Sequence, residues 1–287
     1  MLSFLTAWFV LYALLLTPLQ NHHDQGVLYS RLREQLATET APLGGNIAKG
    51  APVAIMNAPA AGIKTEIVVE GTTSSNLTEG PGHERDTVLP GQPGISTIMG
   101  RARLFGAPFR SIASMPVGSK ITFTTAEGLS TYQVLDVRRN GDLGPAPLAP
   151  GAGGLLLITS ESSGWRSGWA PSTTVYVDAA LTSTPFGTIP GGLSGAQGCV
   201  KAGQLEPNSL KGAPSCVPKA ETPMQGDTSS LYVLVLLLPL LLGAVIAVAW
   251  ASVRWGRWQA WFCGAPVLLG VLWAVSKVAV QLLPNLT

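Results

Sequence analysis

The stretch Glu70–Val137, EGTTSSNLTEGPGHERDTVLPGQPGISTIMGRARLFGAPFRSIASMPVGSKITFTTAEGLSTYQVLDV, is a series of short apolar runs cut by Gly and Pro. ISTIM (95–99), KITFTT (120–125) and TYQVLDV (131–137) are rich in β-branched residues and bounded by turn formers, which predicts strands. The same pattern continues outward in TEIVV (65–69), GLLLIT (154–159) and TVYVDA (174–179). The one short helix expected here lies around SIASM (111–115). Nothing between residues 51 and 180 supports a long amphipathic helix, and about 130 residues suffice for one closed β core. The expectation is therefore one mainly β domain over 51–180, a barrel or a sandwich.

The flanks are of a different kind. Residues 21–50 carry Arg31, Arg33, Glu34 and Glu39 and can begin as a helical extension. They then pass into the Gly/Pro-punctuated TAPLGGNIAKGAP, so the segment is expected to be a juxtamembrane tether. Residues 181–228 are rich in Gly, Pro, Ser and Thr without sustained periodicity and are expected to form a stalk. Beyond the tethers lie three apolar segments, 1–20, 229–253 and 258–280, free of charge except for Lys277 near the end of the last. Each is long enough to cross a hydrocarbon core of about 30 Å. The first could be a signal peptide or an anchor. It has no basic start, and Gln20, Asn21, His22 and His23 follow it directly, so an uncleaved anchor is the reading taken.

Charge fixes an expected orientation. The chain has 18 Lys and Arg against 16 Asp and Glu, and charged residues are only 12% of the total. The acids all fall between Asp24 and Asp227, and the three basic residues beyond them are Arg254, Arg257 and Lys277. The near-neutral middle offers no electrostatic footprint for nucleic acid. Arg254 and Arg257 occupy the short turn between the last two apolar segments, which the positive-inside rule assigns to the cytoplasm. The N-terminus is then cytoplasmic and the β domain extracellular, in a multi-pass protein of the cell membrane. Gly256, Gly264 and Gly270 in or near the last spans would allow close helix contact.

Cys199 and Cys216 fall in the loop-like segment on the exported side, where a disulfide is the natural reading; two free thiols or a two-cysteine metal site are the alternatives. Cys263 lies in the third span as a small apolar residue. No Gly-rich phosphate loop and no His/Cys/Asp cluster at metal-ligand spacing occurs, so neither cofactor nor metal is expected. The Asn-Leu-Thr sequons at Asn76 and Asn285 match a glycosylation pattern.

The order of motifs over residues 60–180 resembles the sortases, in particular the class E/F-like, actinobacterial branches. The resemblance rests on Gly80-Pro81-Gly82-His83, Leu89-Pro90-Gly91, Gly94, Gly100, Gly106-Ala107-Pro108-Phe109, Gly118, Gly128 and Tyr132. It implies an eight-stranded β-barrel that cleaves a sorting signal and transfers the acyl group to an amine. The work is done by a Cys nucleophile, a His acid/base and an Arg that stabilises the oxyanion.

None of the three is present at the matching positions. The family's Ile-x-Gly-His-Arg corresponds to Ile98, Met99, Gly100, Arg101 and Ala102, which puts Arg101 in place of the His. The strand ending in the family's Cys ends here at Thr159 and Ser160. The family's Arg falls on Thr174 or its neighbour Thr173. A serine needs an adjacent base, Arg101 stays protonated, and His83 belongs to the Gly-Pro-Gly-His turn. Arg166 would replace the missing Arg only if its loop folded over the site.

The plain reading has Ser160 ending a strand, Arg101 and Arg103 on its solvated side, and His83 bonded to a turn. The sharper reading keeps the cleft and removes its chemistry, with Arg101, Arg103 and Ser160 holding an extended peptide. The expected function is a catalytically inactive, sortase-like assembly subunit of a Gram-positive envelope complex. A receptor for a sorting-signal-like peptide and a residual serine transpeptidase or hydrolase using Ser160 are the alternatives. The expected partners are the membrane, other membrane or envelope proteins and an extended peptide, but no nucleic acid.

Overall fold

The computed structural model describes residues 2–161, 173–187, 221–226, 230–254 and 256–286. Eight strands, β1 Pro52–Ala58, β2 Ile63–Glu70, β3 Gly82–His83, β4 Gly94–Met99, β5 Lys120–Thr125, β6 Gly128–Arg139, β7 Gly153–Glu161 and β8 Thr173–Leu181, close into a barrel in the order β1-β2-β3-β4-β7-β8-β6-β5. Of the two architectures left open by the strand pattern, the barrel is the one observed. Six strands coincide with the predicted runs, and the short helix appears as a single turn at Ile112–Ser114. β1 and the two-residue β3 are additions.

β2/β3 and β4/β7 pair in parallel and the other neighbours antiparallel. Inward-facing residues alternate along each strand, so Val53, Met56, Ile98, Phe123, Tyr132, Leu157 and Val177 share one core with Phe109. Tyr132 meets Phe123 edge to face at 5.8 Å, and its hydroxyl accepts the Gly91 N–H at 2.6 Å. Gly91 has a positive φ of 100°, and the Phe186 ring lies where a Cβ would stand.

The N-terminal helix is continuous from α1 (Leu2–Leu11) through a π-helical turn (Tyr12–Leu16) into α2 (Thr17–Ala37). Pro18 explains the irregularity. It cannot donate to the ladder and would crowd the carbonyl four residues back, so the turn before it widens. The Thr17 hydroxyl bonds Ala13 O at 2.7 Å.

Residues 21–37, expected in the tether, are therefore helical. Leu28 and Leu32 give the helix an apolar face that packs on Ile67 and Val69 of β2. Gln25 completes the seam. β3 is too short to cover β2 beyond Val69, and the Gln25 side chain takes its place: Oε1 accepts the Ile67 N–H at 2.7 Å, and Nε2 donates to Ile67 O and Glu79 O. A side-chain amide thus satisfies a strand edge that would otherwise lose its partners.

Two further helices, α3 (Ser230–Arg254) and α4 (Arg257–Gln281), form an antiparallel hairpin. The segments Ser230–Arg254 and Trp258–Gln281 are long and apolar enough to cross a membrane. Gly264 faces Val248 so closely that a Cβ would overlap it, while Gly270 has open space and Gly256 serves the turn with φ 105°. The hairpin also meets the N-terminal helix, where Trp8 Nε1 donates to Ser276 Oγ at 3.1 Å. Cys263 is exposed and free, and Cys199 and Cys216 lie outside the described residues.

Candidate functional site

β4 and β7 end, and β8 begins, on the same rim. Met99 is in register with Ile158, and Ser160 with Thr174. Gly100 N–H donates to Ile158 O at 3.0 Å, while the Thr159 hydroxyl donates to Gly100 O at 2.9 Å. These bonds bring Arg101, Ser160 and Thr174 to one edge of the barrel, all three buried. Thr173 lies at the start of β8, half-buried and in register with Glu161. Arg166 lies outside the described residues.

Arg101 is not on a solvated side. It is fully buried, with Nε donating to Leu77 O at 3.1 Å and Nη2 to both Ser74 O and Ser74 Oγ at 2.8 Å. The Phe105 ring covers the guanidinium, with Cζ 5.3 Å from its centroid. Burial pushes the Arg101 pKa down to about 9, which leaves it protonated near neutrality. The cover is built by the loop after β4. Phe105 and Ala107 have φ of 52° and 48°, a turn that L side chains adopt rarely. It drives Leu104 and Phe105 between Tyr12 of the N-terminal helix and Val280 of α4. Arg103, on the same loop, is exposed and separated in environment from Arg101.

The groove between these strand ends is filled by the segment after α4. The Ser160 hydroxyl donates to Leu286 O at 2.6 Å, and the Ala102 N–H donates to the same oxygen at 3.2 Å. The Leu286 side chain is sealed among Leu77, Met99 and Ile158, flanked by Leu156, Tyr176 and Met224. Asn285 Nδ2 donates to Thr72 O and Thr222 O, each at 3.0 Å. Ser74, having accepted from Arg101, donates to Leu283 O at 3.2 Å. Asn285 is fully buried, so this sequon presents no accessible amide.

His83 lies on β3 and is wholly enclosed. Its Nδ1 is 2.9 Å from Glu70 Oε2, and its Nε2 is 2.9 Å from Val88 O. A carboxylate and a carbonyl both accept, so both ring nitrogens carry hydrogen. Burial disfavours the charged ring, but the Glu70 charge and hydrogen bond, aided by Val88 O, outweigh it and raise the His83 pKa. An imidazolium in this position cannot take a proton from a nucleophile.

Sequence reasoning missed two contributors to this face. Thr174, Tyr176 and Asp178 alternate outward on β8, and Arg138 of β6 lies in register with Tyr176. Its guanidinium is over the Tyr176 ring at 4.7 Å and forked onto Asp178, with Nε to Oδ2 at 2.5 Å. The alternation Thr174-Tyr176-Asp178 was a readable signal for that face. Nothing in the spacing signalled the second contributor, residues 283–286.

Residues 56–159 match the family model described as the Sortase domain. No curated protein matches the chain. Among solved structures, it is similar to a Sortase D5 transpeptidase from Clostridium perfringens at 20% identity and TM-score 0.44, covering 57% of this chain and 98% of that one. It is similar to sortase E from Streptomyces avermitilis at 27% identity and TM-score 0.40, covering 48% and 91%. It is similar to the SrtA sortase from Actinomyces oris at 22% identity and TM-score 0.43, covering 50% and 87%. The residues matched by the family model run from β1 to β7 of the closed eight-stranded barrel.

Proposed function

We propose that this chain is a catalytically inactive member of the class E/F-like sortase branch, acting as an assembly subunit of a cell-envelope membrane complex in a Gram-positive, actinobacterial type of cell. One observation carries the reading: the Ser160 hydroxyl spends its proton on a carbonyl, Leu286 O, rather than on a base. An activated serine needs an acceptor that can keep the proton. His83 is a double donor to Glu70 and Val88, and Arg101 is already a cation held by Leu77 and Ser74. No Cys precedes Cys199.

The assembly role is supported by how the barrel is held. Gln25, Leu28 and Leu32 dock it on the N-terminal helix, and Leu104 and Phe105 wedge it against α4, which favours a rigid unit over a domain on flexible tethers. Meanwhile α3 leaves Tyr232, Leu236, Leu242 and Ile246 exposed, a face for lipid or for other membrane helices. In this reading the protein is multi-pass in the cell membrane, with the N-terminus and the Arg254–Arg257 turn cytoplasmic and the barrel extracellular.

The test has two arms. Purification from native membranes in mild detergent, with quantitative mass spectrometry, is expected to give a fixed set of membrane proteins near equal stoichiometry. Incubation with sorting-type peptides and an amine acceptor is expected to give no acyl adduct on Ser160 and no transfer product. Isolation of the protein alone overturns the assembly role; an adduct on Ser160 overturns the loss of chemistry.

A further inference from the structure

The segment after α4 is held in the way a protein holds a peptide ligand. Its main chain is fixed at two carbonyls: Leu286 O receives Ser160 Oγ–H and Ala102 N–H, and Leu283 O receives Ser74 Oγ–H. Its own Asn285 N–H donates to Gln225 O at 2.9 Å. Two side chains are read separately. Leu286 fills an apolar pocket of Leu77, Met99 and Ile158, and the Asn285 amide bridges Thr72 O and Thr222 O. Main-chain bonds that give affinity, combined with side-chain pockets that give selectivity, are the elements of extended-peptide recognition.

We propose that this groove is a peptide-binding site selective for a short Leu-Pro-Asn-Leu segment, and that residues 283–286 occupy it in cis and close it to other peptides. The proposal rests on the reading that Ser160 serves binding rather than bond cleavage. The segment is then gripped at two points: Arg101 donates to Ser74 and Ser74 to Leu283 O, while Ser160 donates separately to Leu286 O. The cation orients the serine that grips the peptide and touches no leaving group. Arg101 and Ser160, both named from sequence as peptide contacts, thus act on the peptide, Arg101 through Ser74.

Covalent tethering explains why the cis occupant holds the groove. Val280 is pinned against Tyr12 and Phe105, so only a few residues separate a fixed point from Leu286. A linker that short gives an effective concentration on the order of millimolar. A free peptide must exceed that to enter.

The test uses the full chain in detergent and a fluorescent peptide with the sequence of residues 281–287, QLLPNLT. Leu286→Asp places a charge in the apolar pocket and expels the tail while leaving Arg101, Ser74 and Ser160 in place. The labelled peptide is expected to bind this variant at least tenfold more tightly than the wild type. A peptide carrying Asp at the position of Leu286 is expected to bind neither. Asn285→Ala, which introduces no charge, is the second variant and serves if the first does not fold; it is expected to bind several-fold more tightly than wild type. Equal binding to wild type and to a folded variant, or no binding to either folded variant, overturns the proposal. An acyl adduct on Ser160 would instead overturn the non-catalytic reading, so the two failures are distinguishable.

Discussion

Glu70 and His83 meet at 2.9 Å across the parallel β2–β3 pair, with both side chains almost wholly buried. Because β3 is only two residues long, this contact fastens the loop from Gly71 to Pro81 to the barrel with little help from backbone pairing. Removing one partner leaves the other charge without compensation. Glu70→Ala is expected to cost about 3–5 kcal/mol of stability, measured by denaturant unfolding near pH 6. The His83 pKa lies above its ordinary 6.5, so its contribution is complete below about that pH and lost as pH rises through the folded value. Wild type should therefore lose stability on the alkaline side, and the variant should lose less over the same range.

Glu66 offers an independent pH signal. Burial pushes its carboxyl up to about 7 from 4.5. The folded chain therefore binds a proton that the unfolded chain releases, and stability falls as pH rises between those values. Glu66→Gln removes the cost of ionising there. It should be more stable than wild type at pH 8, with the difference shrinking toward pH 5, as read from unfolding midpoints across the series.

Phe105 joins three parts of the molecule: the Arg101 guanidinium beneath its ring, Tyr12 of the N-terminal helix, and Val280 of α4. Phe105→Ala is expected to cost about 3–5 kcal/mol. The loss should be local, with hydrogen exchange rising in residues 101–109 and 280–286 while the β5–β6 hairpin stays protected. Uniform deprotection of the barrel would count against the wedge.

Ser160→Cys supplies the thiol that the family uses but no base beside it. With His83 committed as a double donor, acyl transfer from a sorting-type peptide to an amine should stay undetectable by mass spectrometry. Turnover by this single variant would show that a base reaches position 160.

Six of the eight strands were legible because their β-branched runs alternate between clear turn residues. β1 was not: PVAIMNA follows a Gly/Pro-rich stretch and has small residues where a strong strand signal would put Val or Ile. β3 is too short for any periodicity. The expectation that Arg101, Ser160 and Thr174 share one site came from the resemblance to sortases and not from their spacing. The burial of Arg101 was not legible, because it depends on a loop that turns back through three consecutive positive-φ residues, of which only Gly106 carries a sequence signal while Phe105 and Ala107 do not. The occupant of the groove was beyond local reading altogether, since Ser160 and Leu286 are 126 positions apart and Asn285 and Thr72 are 213 apart.

That separation sets a schedule for biosynthesis. A chain emerging from the ribosome makes α2 and every strand of the barrel long before residue 283 exists, so the Ser160 rim stands open throughout that interval. The groove can be filled only after the α3–α4 hairpin has formed and α4 has come to rest against Tyr12. Contacts between such distant residues form late. Occupancy of the rim by Leu286 is thus a mark that the chain has folded from its first helix through its last.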